Sequence, residues 1–244
     1  MSNLVYTCVT TGYEARLPNV QDEDGEFVCF TNDPKLVAPG WELRPLDSPS
    51  GLSPHFAARY HKVFAHRLFP DRVGSIWMDG NVRLLAGWQG MWEEMLSAGA
   101  GLAAFSHWAG RSLVEERAAC IQHKKFDRRD MRRAEVQLAD YAAAGFDVNS
   151  PITENQIIVR HHGSPNLHRA MSAWWSHLCE YTKRDQMCLQ FIIWQEGIKT
   201  VLLDVDRGMP KCYIVGNHRL GLIKGTLVRI RRVASRLRHG PPSQ

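Results

Sequence analysis

Short, nearly unbroken apolar runs alternate with stretches of helical periodicity along this chain. Leu4 to Thr10, Phe27 to Phe30 and Ser75 to Met78 are continuous apolar segments, the pattern of strands buried on both faces of a sheet. Trp41 to Arg44, Gly101 to Ser106, Asn155 to Val159 and Thr200 to Leu203 read as further strands. Between them the period changes. From His55 to Leu68, the residues Phe56, Tyr60, Val63, Phe64 and Leu68 recur at helical spacing, and Pro70 closes the segment. Helices are expected over Met91 to Ala98, over Arg111 to Tyr141 with a break near Phe126-Asp127, over Leu167 to Tyr181 and over Asp185 to Trp194. Strands alternating with helices predict a single α/β domain, here bounded at 1–223, with a basic amphipathic tail at 224–244.

Composition narrows the setting. The 244 residues carry a net charge of +5, which favours anionic partners without choosing among them. Six scattered cysteines without a Cys-x-x-Cys pair do not form a disulfide framework. No secretory leader pattern opens the chain, and no apolar run reaches membrane-spanning length. The expected location is the cytoplasm. In the tail, Leu227, Val228, Ile230, Val233 and Leu237 interleave with Arg229, Arg231, Arg232, Arg236 and Arg238. Such a helix can lie on the inner face of an anionic membrane as a peripheral attachment, or pack on its own domain as a charged terminal helix.

Candidate chemistry centres on Asp79-Gly80-Asn81, at the exit of the strand ending in Ser75-Ile76-Trp77-Met78. By themselves these residues read as an Asp-Gly turn. Open α/β sheets, however, bind ligands at the carboxyl ends of their strands. A carboxylate and a carboxamide there suit a hard cation such as Mg²⁺ or Mn²⁺ against phosphate, and the glycine lets backbone come close to a ligand. On the preceding helix, Arg59, Lys62 and His66 share one face, which reads either as a solvated helix face or as a cationic strip turned toward an anionic ligand. Late in the chain, His218, Gly221 and Lys224 could place an imidazole, a close backbone approach and an ammonium around one loop. Asp185 opens a helix, where a carboxylate also serves as a cap. His161-His162 and Cys120-x-x-His123 lack further ligands for zinc. Walker A, Gly-x-Gly-x-x-Gly and Gly-x-Ser-x-Gly sequences are all missing.

The succession Val5-Tyr6-Thr7 to Gly12-Tyr13, Phe27 to Asp33, Ala58 to Lys62 and Ser75 to Asn81, with Trp174-Trp175 and Arg184-Asp185-Gln186, resembles a glycosyltransferase-like family. Its members occur in bacteria and in plants, where they are linked to cell-wall mucilage. The resemblance spans about residues 4–195 and implies a GT-A-type nucleotide-sugar transferase with a mixed, mostly parallel sheet. It implies Mn²⁺ or Mg²⁺ held by Asp79, Asn81 and His218, with an amide where the family class has a second acid. His218, Gly221 and Lys224 match the late His-x-x-Gly-x-x-Lys of retaining GT-A enzymes related to glycogenin. Thr10, Thr11, Tyr13, Asp33, Arg59, Lys62 and Lys224 would then bind the nucleotide-sugar donor. Asp185 would orient the acceptor, a glycan or lipid-linked sugar of the cell envelope, or act as base. Nucleic acid is not an expected partner. The competing readings are a metal-dependent hydrolase of the lipid amidase type and a non-catalytic module binding polyanions or membrane.

Overall fold

The computed structural model describes residues 4–20, 25–203 and 212–216. Strands β1 (Leu4–Val9), β2 (Glu26–Thr31) and β3 (Glu42–Arg44) are followed by helices α1 (Pro54–Val63) and α2 (Ala65–Leu68). Strands β4 (Gly74–Met78) and β5 (Val82–Leu84), helix α3 (Gly90–Ser97) and strand β6 (Leu102–Ser106) come next. Helices α4 (Leu113–Gln122) and α5 (Arg128–Ala143) precede the long strand β7 (Thr153–His161). Helix α6 (Leu167–Glu180), a 3₁₀ turn at Asp185–Met187 and helix α7 (Leu189–Glu196) lead to β8 (Thr200–Leu203) and β9 (Tyr213–Val215).

Seven strands form one sheet in the order β3-β2-β1-β4-β7-β6-β8, while β5 and β9 pair separately. Every neighbouring pair in the large sheet is parallel except those of β7, which runs antiparallel to β4 and β6. The expected α/β architecture with a mixed, mostly parallel sheet is therefore the observed one. Both faces are covered, so successive residues of β1 alternate between two cores. Leu4, Tyr6 and Cys8 pack with α1, α6 and α7 side chains, and Val5 and Val9 pack with Met91, Trp92 and Met95 of α3. Burial on both sides explains why the strand reads as a continuous apolar run. Gly74 is forced at the start of β4: a Cβ there would lie 2.0 Å from Trp92 and 2.4 Å from the Arg160 carbonyl oxygen.

The predicted helix from His55 to Leu68 breaks at Phe64, between α1 and α2. Arg160 of β7, fully buried, is the cause. Its Nη1 donates to the carbonyls of Lys62 at 2.6 Å and Val63 at 3.0 Å, two groups that a continuing helix would give to its own amides. Arg67 N–H turns to the Phe64 carbonyl instead. The break separates His66 from the cationic strip. Arg59 and Lys62 stay together on α1, whereas His66 stacks on His168 with ring centroids 4.1 Å apart.

The charged segment from Arg111 to Tyr141 is two helices, as expected, and each starts on a capping box: Ser112 with Glu115 for α4, Asp127 with Asp130 for α5. The 3₁₀ turn occupies the start of the segment expected to be helical from Asp185, and α7 begins only at Leu189. The cysteines are free, five of them buried and Cys179 exposed. No helix among the described residues is long and apolar enough to cross a membrane. The tail from Lys224, together with His218 and Gly221, lies outside the described residues.

Candidate active site

One edge of the sheet gathers the carboxyl ends of β1, β4 and β6 and the start of β7, because β7 runs against its neighbours. A cavity of about 520 Å³ opens there. Thr10, Thr11 and Tyr13 line it from the β1 exit, Asp79 and Gly80 from the β4 exit, and His107 and Trp108 from the β6 exit. Arg59 and Lys62 of α1 and Arg184, Asp185 and Gln186 around the 3₁₀ turn complete the wall.

Lys62 holds the centre. Its side chain is 1% exposed, and its Nζ lies 2.6 Å from Asp185 Oδ2 and 3.1 Å from Asp79 Oδ1. Trp77 Nε1 donates to the same Asp79 oxygen at 2.9 Å. Arg59 Nη2 reaches Asp185 Oδ1 at 3.2 Å, and its buried Nε has no hydrogen-bond partner among the described residues. Asp185 is thus gripped through both oxygens. Burial by itself would raise its pKa, but Arg59, then Lys62 and Arg184, outweigh that and hold the carboxyl well below the usual range. The capping role open to Asp185 from sequence is not the one its carboxylate takes.

Glu116 of α4 supplies a second clamp that the sequence did not mark. Its side chain is 1% exposed. Its Oε1 accepts from Arg184 Nη2 at 2.9 Å and its Oε2 from Arg111 Nη1 at 3.0 Å. Asn155 Nδ2 donates to the Asp185 carbonyl at 3.2 Å, and Gln186 Nε2 to the Thr153 carbonyl at 2.8 Å. These bonds tie the 3₁₀ turn to β7 and α4 and fix where the Asp185 carboxylate points.

The Asp-Gly turn open from sequence is formed, and of its residues Asp79 and Gly80 line the cavity. Val82 N–H donates to the Asp79 carbonyl at 2.9 Å, which closes a turn at the exit of β4. Gly80 serves protein packing there: an added Cβ would meet Val9 and Leu17 at 3.1 and 3.2 Å. Asn81 is buried at the start of β5 and is not among the cavity-lining residues. Its Nδ2 donates to the Gly216 carbonyl at 2.9 Å, while its buried Oδ1 has no partner among the described residues. Asp33 stands apart from the cavity, its Oδ1 accepting from Lys35 N–H at 2.9 Å. The neighbouring Asn32 instead anchors the β1 exit, taking the Thr11 N–H at 2.9 Å. His218 and Lys224 lie outside the described residues.

The sequence profile of the TOD1/MUCI70 glycosyltransferase-like domain matches residues 54–203, more than half of the chain. The chain belongs to that family. No curated protein matches it in sequence. In structure it is similar to the apo form of mouse xyloside xylosyltransferase 1, with a TM-score of 0.49 at 10% identity over 84% of this chain and 85% of that one. It is similar to the apo bifunctional glycosyltransferase WbbM, with a TM-score of 0.52 at 12% identity over 84% of this chain and 39% of that one. The galactosyltransferase LgtC, solved with donor and acceptor sugar analogues, matches with a TM-score of 0.43 at 9% identity over 83% of this chain and 73% of that one. The fold is of the GT-A glycosyltransferase type. The matched segment begins at the first residue of α1 and ends with β8, so α1, the exit of β4 and the 3₁₀ turn of the TOD1/MUCI70 domain carry the whole Lys62–Asp79–Asp185 cluster.

Two buried histidines of this domain should make the fold acid-sensitive. Burial pushes His107 and His162 down to about 4. His107 is therefore neutral at pH 7, and its Nε2, 3.9 Å from Glu154, makes no ion pair there. Below the unfolded value near 6.5 the unfolded chain takes up protons that the folded one refuses. Stability should be complete above pH 6.5 and fall between pH 6.5 and about 4, by on the order of 1–2 kcal/mol per histidine at pH 5 after solvent screening is allowed for. Urea unfolding at pH 7.5 and 5.0 measures this; equal midpoints would contradict it.

Proposed function

We propose that this chain is an enzyme that transfers a sugar from a nucleotide-diphosphate sugar to a glycan acceptor. The observation that carries the reading is the Lys62 ammonium shared by Asp79 and Asp185 on the floor of a cavity at the carboxyl ends of β1 and β4. Membership of a glycosyltransferase-like family supports it. In the transfer, the bond from the anomeric carbon to the diphosphate oxygen breaks and its electron pair leaves with the diphosphate. An acceptor hydroxyl oxygen bonds to that carbon and gives its proton to the departing diphosphate oxygen. Arg59 and Lys62 stabilise the negative charge growing on the leaving oxygens, where preorganised cations act most strongly. Arg59, whose side chain is 18% exposed and lines the cavity, keeps guanidinium surface open to a phosphate oxygen. Thr10, Thr11 and Tyr13, at the β1 exit, face the nucleoside.

Asp185, so strongly stabilised as the anion, is a poor base for the acceptor hydroxyl. Its role in this reading is electrostatic: it orients Arg59 and Lys62 and offsets positive charge developing at the anomeric carbon. The described donor set fits a hard divalent cation only in part. Asp79 offers a carboxylate at the cavity floor, whereas the unpartnered amide oxygen of Asn81 is buried away from the cavity lining. Asp79 would hold Mn²⁺ or Mg²⁺, which when bound would offset charge on the leaving diphosphate. The described residues contain no cluster of three or more His, Cys, Asp or Glu suited to a metal. Incubation with a panel of uridine, guanosine and adenosine diphospho-sugars, with and without Mn²⁺, tests the function through release of the nucleoside diphosphate. Release from at least one donor above that of a Lys62→Met variant is expected. No release from any donor would overturn the proposal.

A further inference from the structure

The cavity has a second end that the donor reading leaves unused. It lies beyond Asp185, between the β6 exit and the turn joining α4 to α5, and is bounded by Trp108, Arg111, His123 and Lys125. We infer that this end is the acceptor subsite and that it takes an anionic sugar, one bearing a carboxylate or a phosphate; the inference rests on the proposed function.

The aromatic and the charges each point there. Trp108 is 48% exposed at the cavity wall, and the guanidinium carbon of Arg111 lies 6.0 Å from its ring centroid. The part of the indole exposed at the cavity, beside the His107 ring stacked on it at a centroid distance of 5.9 Å, suits the apolar C–H face of a pyranose, whose hydroxyls remain free for polar contacts. The charges at the two ends differ. Around Lys62, two cations meet two carboxylates. At the Trp108 end, two carboxylates, Glu116, which serves both Arg111 and Arg184, and Glu154 beside His107, face three cations with Lys125. Lys125 is exposed and forms no ion pair among the described residues, so positive charge is in excess. A low-dielectric wall focuses such an excess on whatever enters.

The turn is also built to aim this lysine. Lys124 adopts φ 53°, the left-handed region that favours glycine. Lys124 N–H then donates to the Ile121 carbonyl at 3.1 Å and Lys125 N–H to the Cys120 carbonyl at 2.8 Å. This is the helix-ending geometry in which the chain reverses after its C-cap. It brings the residues on both sides of Lys124, His123 and Lys125, to the cavity.

Titration calorimetry on the full chain tests the inference with three probes of similar length: a uronic-acid hexasaccharide, a phosphorylated oligosaccharide and neutral cellohexaose. Wild type, Trp108→Ala and Lys125→Glu are compared, and nucleoside diphosphate binding is measured in each. At least one anionic probe should bind wild type tenfold or more tighter than cellohexaose, and whichever binds identifies the acid group. Each variant should weaken that probe at least tenfold while binding the nucleoside diphosphate as wild type does. Equal binding of neutral and anionic probes, no binding of any probe, or undiminished anionic binding by Lys125→Glu would overturn the inference while leaving the donor site standing. Loss of nucleoside diphosphate binding in Lys125→Glu would also overturn it, by assigning this end to the donor. Failure of the donor reading itself is distinguishable, because wild type would then bind no nucleoside diphosphate.

Discussion

Lys62→Met is expected to destabilise the fold by about 3–5 kcal/mol and to lower nucleoside diphosphate release by about 10³-fold. The lysine is buried between two carboxylates. Removing it leaves Asp185 in a dry site with Arg59 and Arg184 as its remaining partners and returns Asp79 to its single Trp77 bond. Removing one partner of a buried ion is costly because its desolvation penalty stays while part of the attraction that offset it is lost. For a chain of this size, each kcal/mol lowers Tm by about 2–4 °C, so a fall of roughly 10 °C is expected. Urea unfolding measures the stability term. Release assayed at low temperature, where the variant remains folded, isolates the chemical term. A variant with wild-type stability and wild-type release would show that Lys62 neither holds the cluster nor meets the donor.

Asp185→Asn acts on the same cluster from the other side. The amide keeps the shape but removes the charge facing Arg59, Lys62 and Arg184. Three cations then share a region with fewer anions, and a loss of about 2–3 kcal/mol follows from the unpaired positive charge. Catalysis should fall by about 10²–10³-fold, chiefly in kcat, because donor contacts through Arg59 and Lys62 persist while their orientation does not. The acid limb gives a separate readout. Asp185 is held ionised far below the unfolded carboxylate value, so its contribution is present above about pH 4 and is lost as pH falls below it. Between pH 4 and 2.5 the stability of Asp185→Asn should therefore depend less on pH than that of wild type. Parallel curves would contradict the assigned role.

How legible these features were in the sequence depended on how local their causes are. β1, β2 and β4 announced themselves because burial on both faces leaves continuous apolar runs. Arg59 and Lys62 were readable at helical spacing, and both reach the cavity with Asp79 and Asp185. The helix break at Phe64 was not readable, since Arg160 causes it from about a hundred residues away. That distant guanidinium is also why His66 left the cationic strip. Glu116 looked like one acid among many on a charged helix, and only the fold turns it inward between Arg111 and Arg184. β5 and β9, each three residues long, carry too little periodicity to read, yet their pairing draws Asn81 behind the cavity wall. The amide seen in sequence as a weakened ligand is, in the fold, also a backbone clasp.

The central claim is that the Lys62–Asp79–Asp185 cluster binds the diphosphate of a sugar nucleotide. Titration calorimetry of wild type and Asp79→Ala with nucleoside diphosphates and their sugar conjugates, with and without Mn²⁺, tests it most directly. The account predicts binding by wild type that weakens at least tenfold in Asp79→Ala. Binding that Asp79→Ala leaves unchanged, or no binding of any nucleotide by wild type, would contradict it.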